Sequence, residues 1–312
     1  MTSPEASSSF YPIGTPGKPW GPDERALWRS RQRRQRSHRD NVAAAVDRLR
    51  DQFDVQTYGE VMAGDERFPL LAVHSRGWNS DRPVVLVTGG VHGYETSGVH
   101  GALQFLEQDA AAFSDWVNLL VVPCVSPWAY ERVQRWNHDA VDPNRSFREP
   151  SLAPESAALM RLVAPLKGRF IAHIDLHETT DSDESEFRPA KAARDGEAFE
   201  PCTIPDGFYV VDDTENPQPE FQQAIIDKVS RVTHIAPADA AGGIIGSPMV
   251  APGVIRYPLR DLGLCASITG ARYTATTEVY PDSPRATPSQ CNLAQTTAVS
   301  AAISFAIASQ GG

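Results

Sequence analysis

Lysine is scarce in this 312-residue chain, with four residues against 25 arginines. That imbalance can reflect coding composition alone and points to no function by itself. Cysteine is equally sparse. Cys124, Cys202, Cys265 and Cys291 are the only four, and no pair has CxxC or zinc-ribbon spacing. This excludes a disulfide-stapled miniprotein and a ribbon-type zinc module, and makes reduced thiols the expectation. No stretch approaches the roughly 18 consecutive apolar residues of a membrane span. The opening MTSPEASSSFYPIGTPGKPWG lacks the apolar core of a signal peptide. A soluble cytoplasmic protein with no membrane partner is therefore expected. Positive charge is in deficit too: the formal net charge of -10 argues against nucleic acid as the ligand of the whole surface. No internal repeat is visible.

What remains is a chain with 41% hydrophobic residues, enough for a sizeable core. Residues 1–54 are read as an N-terminal arm and basic helix, and 55–312 as one catalytic domain. Residues 1–22 are rich in Ser, Pro and Gly, and 23–53 look helical. Arg29, Arg31, Arg33, Arg34, Arg36 and Arg39 fall there with no acid between them. Either the segment binds an anionic partner, or its arginine stems pack on the body with solvated heads. The acidity of the rest of the chain favours the second. Beyond it, Val55–Gly59 and Phe68–Val73 are short strand candidates. The runs PVVLVT (83–88), NLLVVP (118–123) and FIAHIDL (170–176) carry the continuous apolar signature of strands buried on both faces. Helical patterns at 96–108, 156–166 and 222–232 alternate with them, and 208–211 and 273–280 add strands. The expected fold is a three-layer α/β/α domain with a mixed, mostly parallel sheet. Ligands in such sheets bind at the loops leaving the carboxyl ends of strands.

Polar residues gather at those ends. After PVVLVT comes Gly89-Gly90-Val91-His92-Gly93-Tyr94-Glu95, where a His and a Glu three apart can converge on one cation. After FIAHIDL comes His177. Asp175 and His173 share its strand face, so Asp175 can orient the imidazole and His173 is a rival ligand. Two His and one Glu leave an open coordination position, the pattern of a catalytic zinc site. Between these motifs, Arg135 precedes Asp142-Pro143-Asn144-Arg145-Ser146-Phe147, in which the Arg145 fork and the Asn144 amide suit a carboxylate. Arg132 competes with Arg135. Glu278 lies in a β-prone stretch, where a buried carboxylate is paired or functional. Tyr257 is read in a Gly/Pro-bounded loop.

HGYE, then Arg135 followed by DPNRSF, then a strand-terminal His, then GARYTATTEVY, resemble in order the zinc carboxypeptidase family over roughly residues 55–285. The resemblance implies a zinc-binding α/β/α fold with one Zn2+ ion held by His92, Glu95 and His177. It also implies that Arg135 polarises the scissile carbonyl and that Asn144 and Arg145 grip a terminal carboxylate. Asp142 would back His92, Glu278 would be the general base, and Tyr257 the mobile tyrosine, with Tyr273 a lesser candidate. The run Asp-Leu-His-x-Thr-Thr is also similar to the aspartoacylase and succinylglutamate desuccinylase branch.

The implied activity is release of C-terminal amino acids from peptides. The alternatives are deacylation of N-acyl amino acids and, in another class, an inactive zinc-binding interaction module. The expected partner is a peptide or N-acyl amino acid with a free carboxylate. The acidic stretch Asp181–Glu186 is expected as a solvated loop at the cleft mouth, with selection of basic groups or a second cation as the functional alternative.

Overall fold

The computed structural model describes residues 11–310; the first ten residues of the expected arm lie outside this range. From the N-terminus come α1 (Pro22–Arg31), α2 (Ala44–Arg48), β1 (Phe53–Ala63), β2 (Glu66–Ser75), β3 (Val84–Gly89), α3 (Thr96–Gln108), β4 (Asn118–Val122) and α4 (Pro127–Arg132). Then follow α5 (Pro154–Val163), β5 (Phe170–Glu178), α6 (Arg188–Asp195), β6 (Tyr209–Asp213) and α7 (Pro219–Val229). The chain ends with β7 (Gly243–Ile244), β8 (Ser247–Pro248), β9 (Val254–Tyr257), β10 (Tyr273–Val279) and α8 (Pro288–Ala308).

Eight strands form one sheet in the order β1-β2-β4-β3-β5-β10-β6-β9. Its centre, β4-β3-β5-β10, is parallel. The β1–β2 hairpin joins antiparallel through β2, and β6 runs antiparallel to β10. The expected mixed, mostly parallel three-layer fold is what the chain adopts.

Two-faced burial explains the central strands. Val85 and Val87 of β3, with Leu119 and Val121 of β4, enter the core beneath α3 and α8. Their neighbours Val84, Leu86, Leu120 and Val122 enter the opposite core with Leu159 and Val163 of α5. The alternation changes character on β5. Ala172, Ile174 and Leu176 stay in the first core, while His173, Asp175 and His177 point the other way and are all buried. A row of polar side chains inside a strand is costly unless each finds a partner, so β5 marks the site.

Three local expectations are corrected. Residues 23–53 are not one helix: α1 stops at Arg31 and residues 32–37 run without helix. Tertiary bonds hold them, since the Gln35 and Arg36 amides donate to the Glu131 carbonyl. Three of the six arginines, Arg29, Arg34 and Arg36, engage the body. Arg34 pairs with Glu66 and Glu131, and Arg29 with Asp139. The Arg36 guanidinium stacks 3.7 Å over the Tyr130 ring and donates to the carbonyls of Tyr130 and Gly93. Second, Asp181–Glu186 is not a loop. It forms a wide π-type turn, Asp183–Phe187, leading into α6. Third, Tyr257 ends strand β9, paired in register with Asp213.

The sequence reading also missed α8, whose 21 residues make it the one described helix long and apolar enough to cross a membrane. It packs against α3 and α7 and buries Cys291, Ala298, Val299 and Ile303.

Candidate metal centre and substrate pocket

The turn after β3 is shaped by glycine. Gly90 adopts a positive φ of 59°, and a Cβ on Gly93 would lie 2.0 Å from the Ala129 carbonyl carbon. That close approach seats the turn against α4 and aims His92 and Glu95 at the end of β5. There His92 Nδ1 lies 2.7 Å from Glu95 Oε1 and His177 Nδ1 lies 2.7 Å from Glu95 Oε2. All three side chains are buried, and their donor atoms lie within 4.8 Å of one another.

The remaining imidazole nitrogens are occupied. His92 Nε2 bonds Asp142 Oδ1 at 3.0 Å, and His177 Nε2 bonds Asp175 Oδ2 at 2.8 Å. Each ring is thus oriented by a carboxylate and turns its Nδ1 toward Glu95, the arrangement that fixes the tautomer of a metal-binding histidine. One further observation fits a cation better than a closed hydrogen-bond cluster. Glu95 Oε2 is buried yet has no partner with hydrogen-bond geometry, despite the nearby His177 nitrogen. Burial opposes ionisation of Glu95, but the imidazoles of His177 and then His92 hold its carboxyl down at about 2. His92, Glu95 and His177 fit a metal ion.

His173 does not join them. With Asp175 and Cys265 it forms a second cluster of ligand-type atoms, but the Thr88 hydroxyl fills the centre. It lies 3.0 Å from His173 Nε2 and donates to Asp175 Oδ1 at 2.6 Å. His173 therefore backs Asp175, and burial holds its imidazole down at about 4.

Asp142 joins the metal cluster to the cleft, since its second oxygen accepts from Arg135 Nε at 3.1 Å. Burial works against the Asp142 carboxylate, but Arg135 and then His92 hold it well below the usual range. Trp136, fully buried between Trp20 and Trp28, pins the chain beside Arg135. Arg132 points elsewhere, pairing with Glu66 and stacking 4.8 Å from the Trp128 ring. Of the two arginines, only Arg135 lines the cavity of about 660 Å3 that opens over the metal cluster. Asn144 and Arg145 line it too. The Asn144 side-chain oxygen accepts from the Cys265 amide at 2.7 Å, which fixes its orientation. Arg145 donates to the Asn144 carbonyl and, among the described residues, has no carboxylate within 4.0 Å.

Glu278 pairs in register with His177 across β10 and β5 and also faces the cavity. Its Oε2 accepts from Thr179 Oγ1 at 3.0 Å, and Tyr209 stands 2.8 Å behind that hydroxyl. Burial, and after it the charges of Glu95 and Asp183 against the opposing His177, push the Glu278 carboxyl up to about 8. Tyr257 lines the cavity, whereas Tyr273 is buried in the helical core.

The sequence reading overlooked Tyr94, Asp183, Thr179 and Tyr209. Tyr94 donates to Asp183 Oδ1 at 2.7 Å, and Arg135 Nη1 lies 3.5 Å from the same oxygen. Asp183 is thus part of the wall rather than a solvated loop acid. The interval of three between His92 and Glu95 signalled the metal, but nothing in local spacing links residues 94 and 183.

Fold and site together define an α/β protein of carboxypeptidase-like architecture with a buried His/Glu/His cluster that could hold a metal ion. Within it, residues 81–197 match the succinylglutamate desuccinylase/aspartoacylase catalytic domain, a span that holds His92, Glu95, His177 and Arg145 but ends before Tyr257 and Glu278. No curated protein matches the chain. Among solved structures, a proposed metallopeptidase from Shewanella amazonensis superposes with a TM-score of 0.64 at 22% identity, over 85% of this chain and 90% of that one. A carboxypeptidase A from Helicoverpa armigera gives 0.60 at 12%, over 95% and 75%. A metallo-carboxypeptidase from Pseudomonas aeruginosa, in complex with (2-guanidinoethylmercapto)succinic acid, gives 0.57 at 15%, over 86% and 68%. At these identities the likeness is one of fold. The family match and the neighbours agree with the resemblance read from the ordered motifs.

Proposed function

We propose that the protein is a zinc-dependent hydrolase that removes C-terminal amino acids from peptides. One observation carries the reading. A single buried His/Glu/His cluster, a protonatable Glu278 and an arginine without a carboxylate partner open into the same cavity. His92, Glu95 and His177 would hold the ion, and their nitrogen and oxygen donors with an open position suit zinc. When bound, zinc supplies Lewis acidity that brings the pKa of a water to about 7.

The chain's own groups do the rest. Arg145 binds the substrate's terminal carboxylate, with the Asn144 amide locked beside it by Cys265. That grip excludes internal bonds, because an internal residue offers no carboxylate. Arg135, held by Asp142 and Asp183, presents its remaining donors to the carbonyl oxygen as negative charge builds there. Glu278 takes a proton from water on its carboxylate and returns it to the leaving amine nitrogen. One carboxylate on the cavity wall can serve both halves of that transfer. Thr179, backed by Tyr209, fixes which Glu278 oxygen is free. Asp142 and Asp175 orient the two histidines. Tyr257 closes over the bound residue.

A second reading, hydrolysis of N-acyl amino acids, is favoured by the family match over residues 81–197. There the amino acid would sit on Arg145 and leave as the free amine, while the acyl carbon takes the hydroxyl of water and departs as a carboxylate. The succinic acid ligand of the Pseudomonas aeruginosa neighbour carries carboxylates, in keeping with an anionic anchor in either reading. Both are tested by profiling the zinc-loaded protein on peptides with free and amidated C-termini beside acetyl- and succinyl-amino acids. Release of terminal residues from free peptides only, abolished by chelation and restored by zinc, is the expected result. Turnover of acyl-amino acids without peptide cleavage selects the second reading. Hydrolysis of neither, with zinc bound, leaves the inactive module.

A further inference from the structure

The last carbonyls of a helix have no partner inside it, and at the end of α4 the segment after α1 supplies partners. The Gln35 and Arg36 amides donate to the Glu131 carbonyl at 2.8 and 3.2 Å, and the Gln35 side chain donates to the Arg132 carbonyl at 3.1 Å. Arg36 Nε donates to the Tyr130 carbonyl at 2.7 Å. A cap on α4 needs no more than this, yet the guanidinium reaches further. Its Nη2 donates to the Gly93 carbonyl, and its Nη1 donates at 2.8 Å to the Thr96 hydroxyl. That hydroxyl donates in turn to the Tyr94 carbonyl at 3.2 Å.

Those acceptors bracket the turn after β3. Gly93 directly follows His92, and Thr96 directly follows Glu95. The turn lies so close to α4 that residue 93 has no room for a side chain, so the two are tied by a group from elsewhere, with one carbonyl of each on the same guanidinium. Glu178, the residue after His177, holds the other end of the turn: its oxygens accept from the Thr96 and Ser97 amides at 2.9 and 2.7 Å. Arg36 is half-buried, and its charge is met by two carbonyls, a hydroxyl and the Tyr130 ring rather than by a carboxylate among the described residues. Withdrawing a cation from water without a counter-charge is costly, and only the planar fork of arginine serves three separate acceptors at once. Arg36 also lies outside residues 81–197, so the family match does not account for it.

We propose that Arg36 is a positioning residue for the candidate metal centre: by joining the end of α4 to the Gly93 carbonyl and the Thr96 hydroxyl, it fixes the turn that presents His92 and Glu95 to His177. This role rests on the reading that those three residues hold zinc. It makes residues 32–37 part of the centre rather than a linker between two helices. The sign of the effect separates positioning from simple electrostatics. A guanidinium near a cation site repels the cation, so loss of its charge alone would tighten zinc binding. Loss of a bond that orients the ligands loosens it.

The test measures zinc affinity in the full chain, so it does not require turnover. Zinc dissociation constants are read by competition with a chromophoric chelator for wild type, Arg36→Ala, Arg36→Lys and Arg34→Ala, beside the thermal midpoints of the zinc-free proteins. Arg34 belongs to the same segment but pairs with Glu66 and Glu131. Arg36→Ala should weaken zinc binding about 10- to 100-fold, and millimolar guanidinium should restore part of the loss. Arg36→Lys, which keeps the charge without the fork, should fall between Arg36→Ala and wild type. Arg34→Ala should bind zinc as wild type does, whatever stability it loses. Unchanged or tighter zinc binding by Arg36→Ala overturns the proposal. So does a loss that Arg34→Ala matches or that guanidinium leaves untouched, since general loosening explains either. If Arg36→Ala does not fold, Arg36→Lys decides by the same measure: weaker binding sustains the role, and wild-type affinity ends it. A wild-type chain that takes up no zinc overturns the metal reading itself, a failure distinct from a zinc-binding wild type whose Arg36 variants lose nothing.

Discussion

The half of the cavity proposed to face a metal and the half proposed to face substrate are built differently. Around His92, Glu95 and His177 almost every polar atom is engaged: Asp142 and Asp175 hold the rings, and Thr88 and His173 hold Asp175 in turn. Arg36 adds a bond to the Gly93 carbonyl within the turn that carries His92 and Glu95. On the other side Arg145 has no acidic partner among the described residues, Glu278 accepts one hydroxyl bond, from Thr179, and Ile245 sits in a left-handed turn. The contrast teaches that one half is made to hold a fixed geometry, while the other keeps groups unsatisfied for something that arrives.

The sharpest way to break this contrast is Glu278→Gln. If Glu278 belongs to the reacting half, turnover should fall about 10³-fold, within the range for losing a general base, with zinc content unchanged. Rates near wild type with zinc bound remove Glu278 from the chemistry. Next comes Arg145→Ala. Loss of a charged hydrogen bond to a carboxylate should raise KM roughly 30- to 100-fold for substrates with a free C-terminus. Equal activity on amidated peptides contradicts the anchor.

Asp175→Asn probes the other half. It should weaken zinc binding about 10- to 100-fold, while kcat of the fully loaded protein changes less. A loss confined to kcat, with affinity intact, would move Asp175 from orienting the ligand to the chemistry itself.

A control lies outside both halves and does not touch activity. Glu155 is buried, and burial pushes its carboxyl up to about 7 against the opposing Asn137 bond. With a folded pKa above the unfolded value near 4.5, its contribution is fully present below that unfolded value. It is lost as pH rises through the folded one. Glu155→Gln should therefore stabilise the fold by about 3 kcal/mol at about pH 8 and leave stability unchanged below the unfolded value near 4.5, as read by denaturant titration. A flat response across pH contradicts the assignment.

Much of the metal-facing half was legible because its signals are local. PVVLVT and FIAHIDL announce strands by composition, and alternation puts His173, Asp175 and His177 on one face, as observed. Helix α3 starts and stops where its pattern does, at Thr96 and Gln108. The substrate-facing half was less legible because tertiary packing decides it. Asp183 comes from an acidic run whose composition predicts solvent, yet a π-type turn directs it at Tyr94 and Arg135. Tyr257 sits in a four-residue strand between glycines and prolines that read as loop. Residues 32–37 leave the helix because the backbone bonds to Glu131 and the Arg34 and Arg36 contacts pull them onto the body. Helix α8 carries a capping signature at Thr287 and Gln290, but its apolar residues surround the axis without a stripe, so periodicity gave no sign.

The central claim is that three distant side chains share one ion. Its most direct test is elemental analysis of the purified chain, chelated, reloaded with zinc and desalted, beside His92→Ala, Glu95→Ala and His177→Ala treated identically. About one zinc per wild-type chain and little in each variant is the predicted result. Wild-type chain without zinc, or variants that keep a full equivalent, would contradict it.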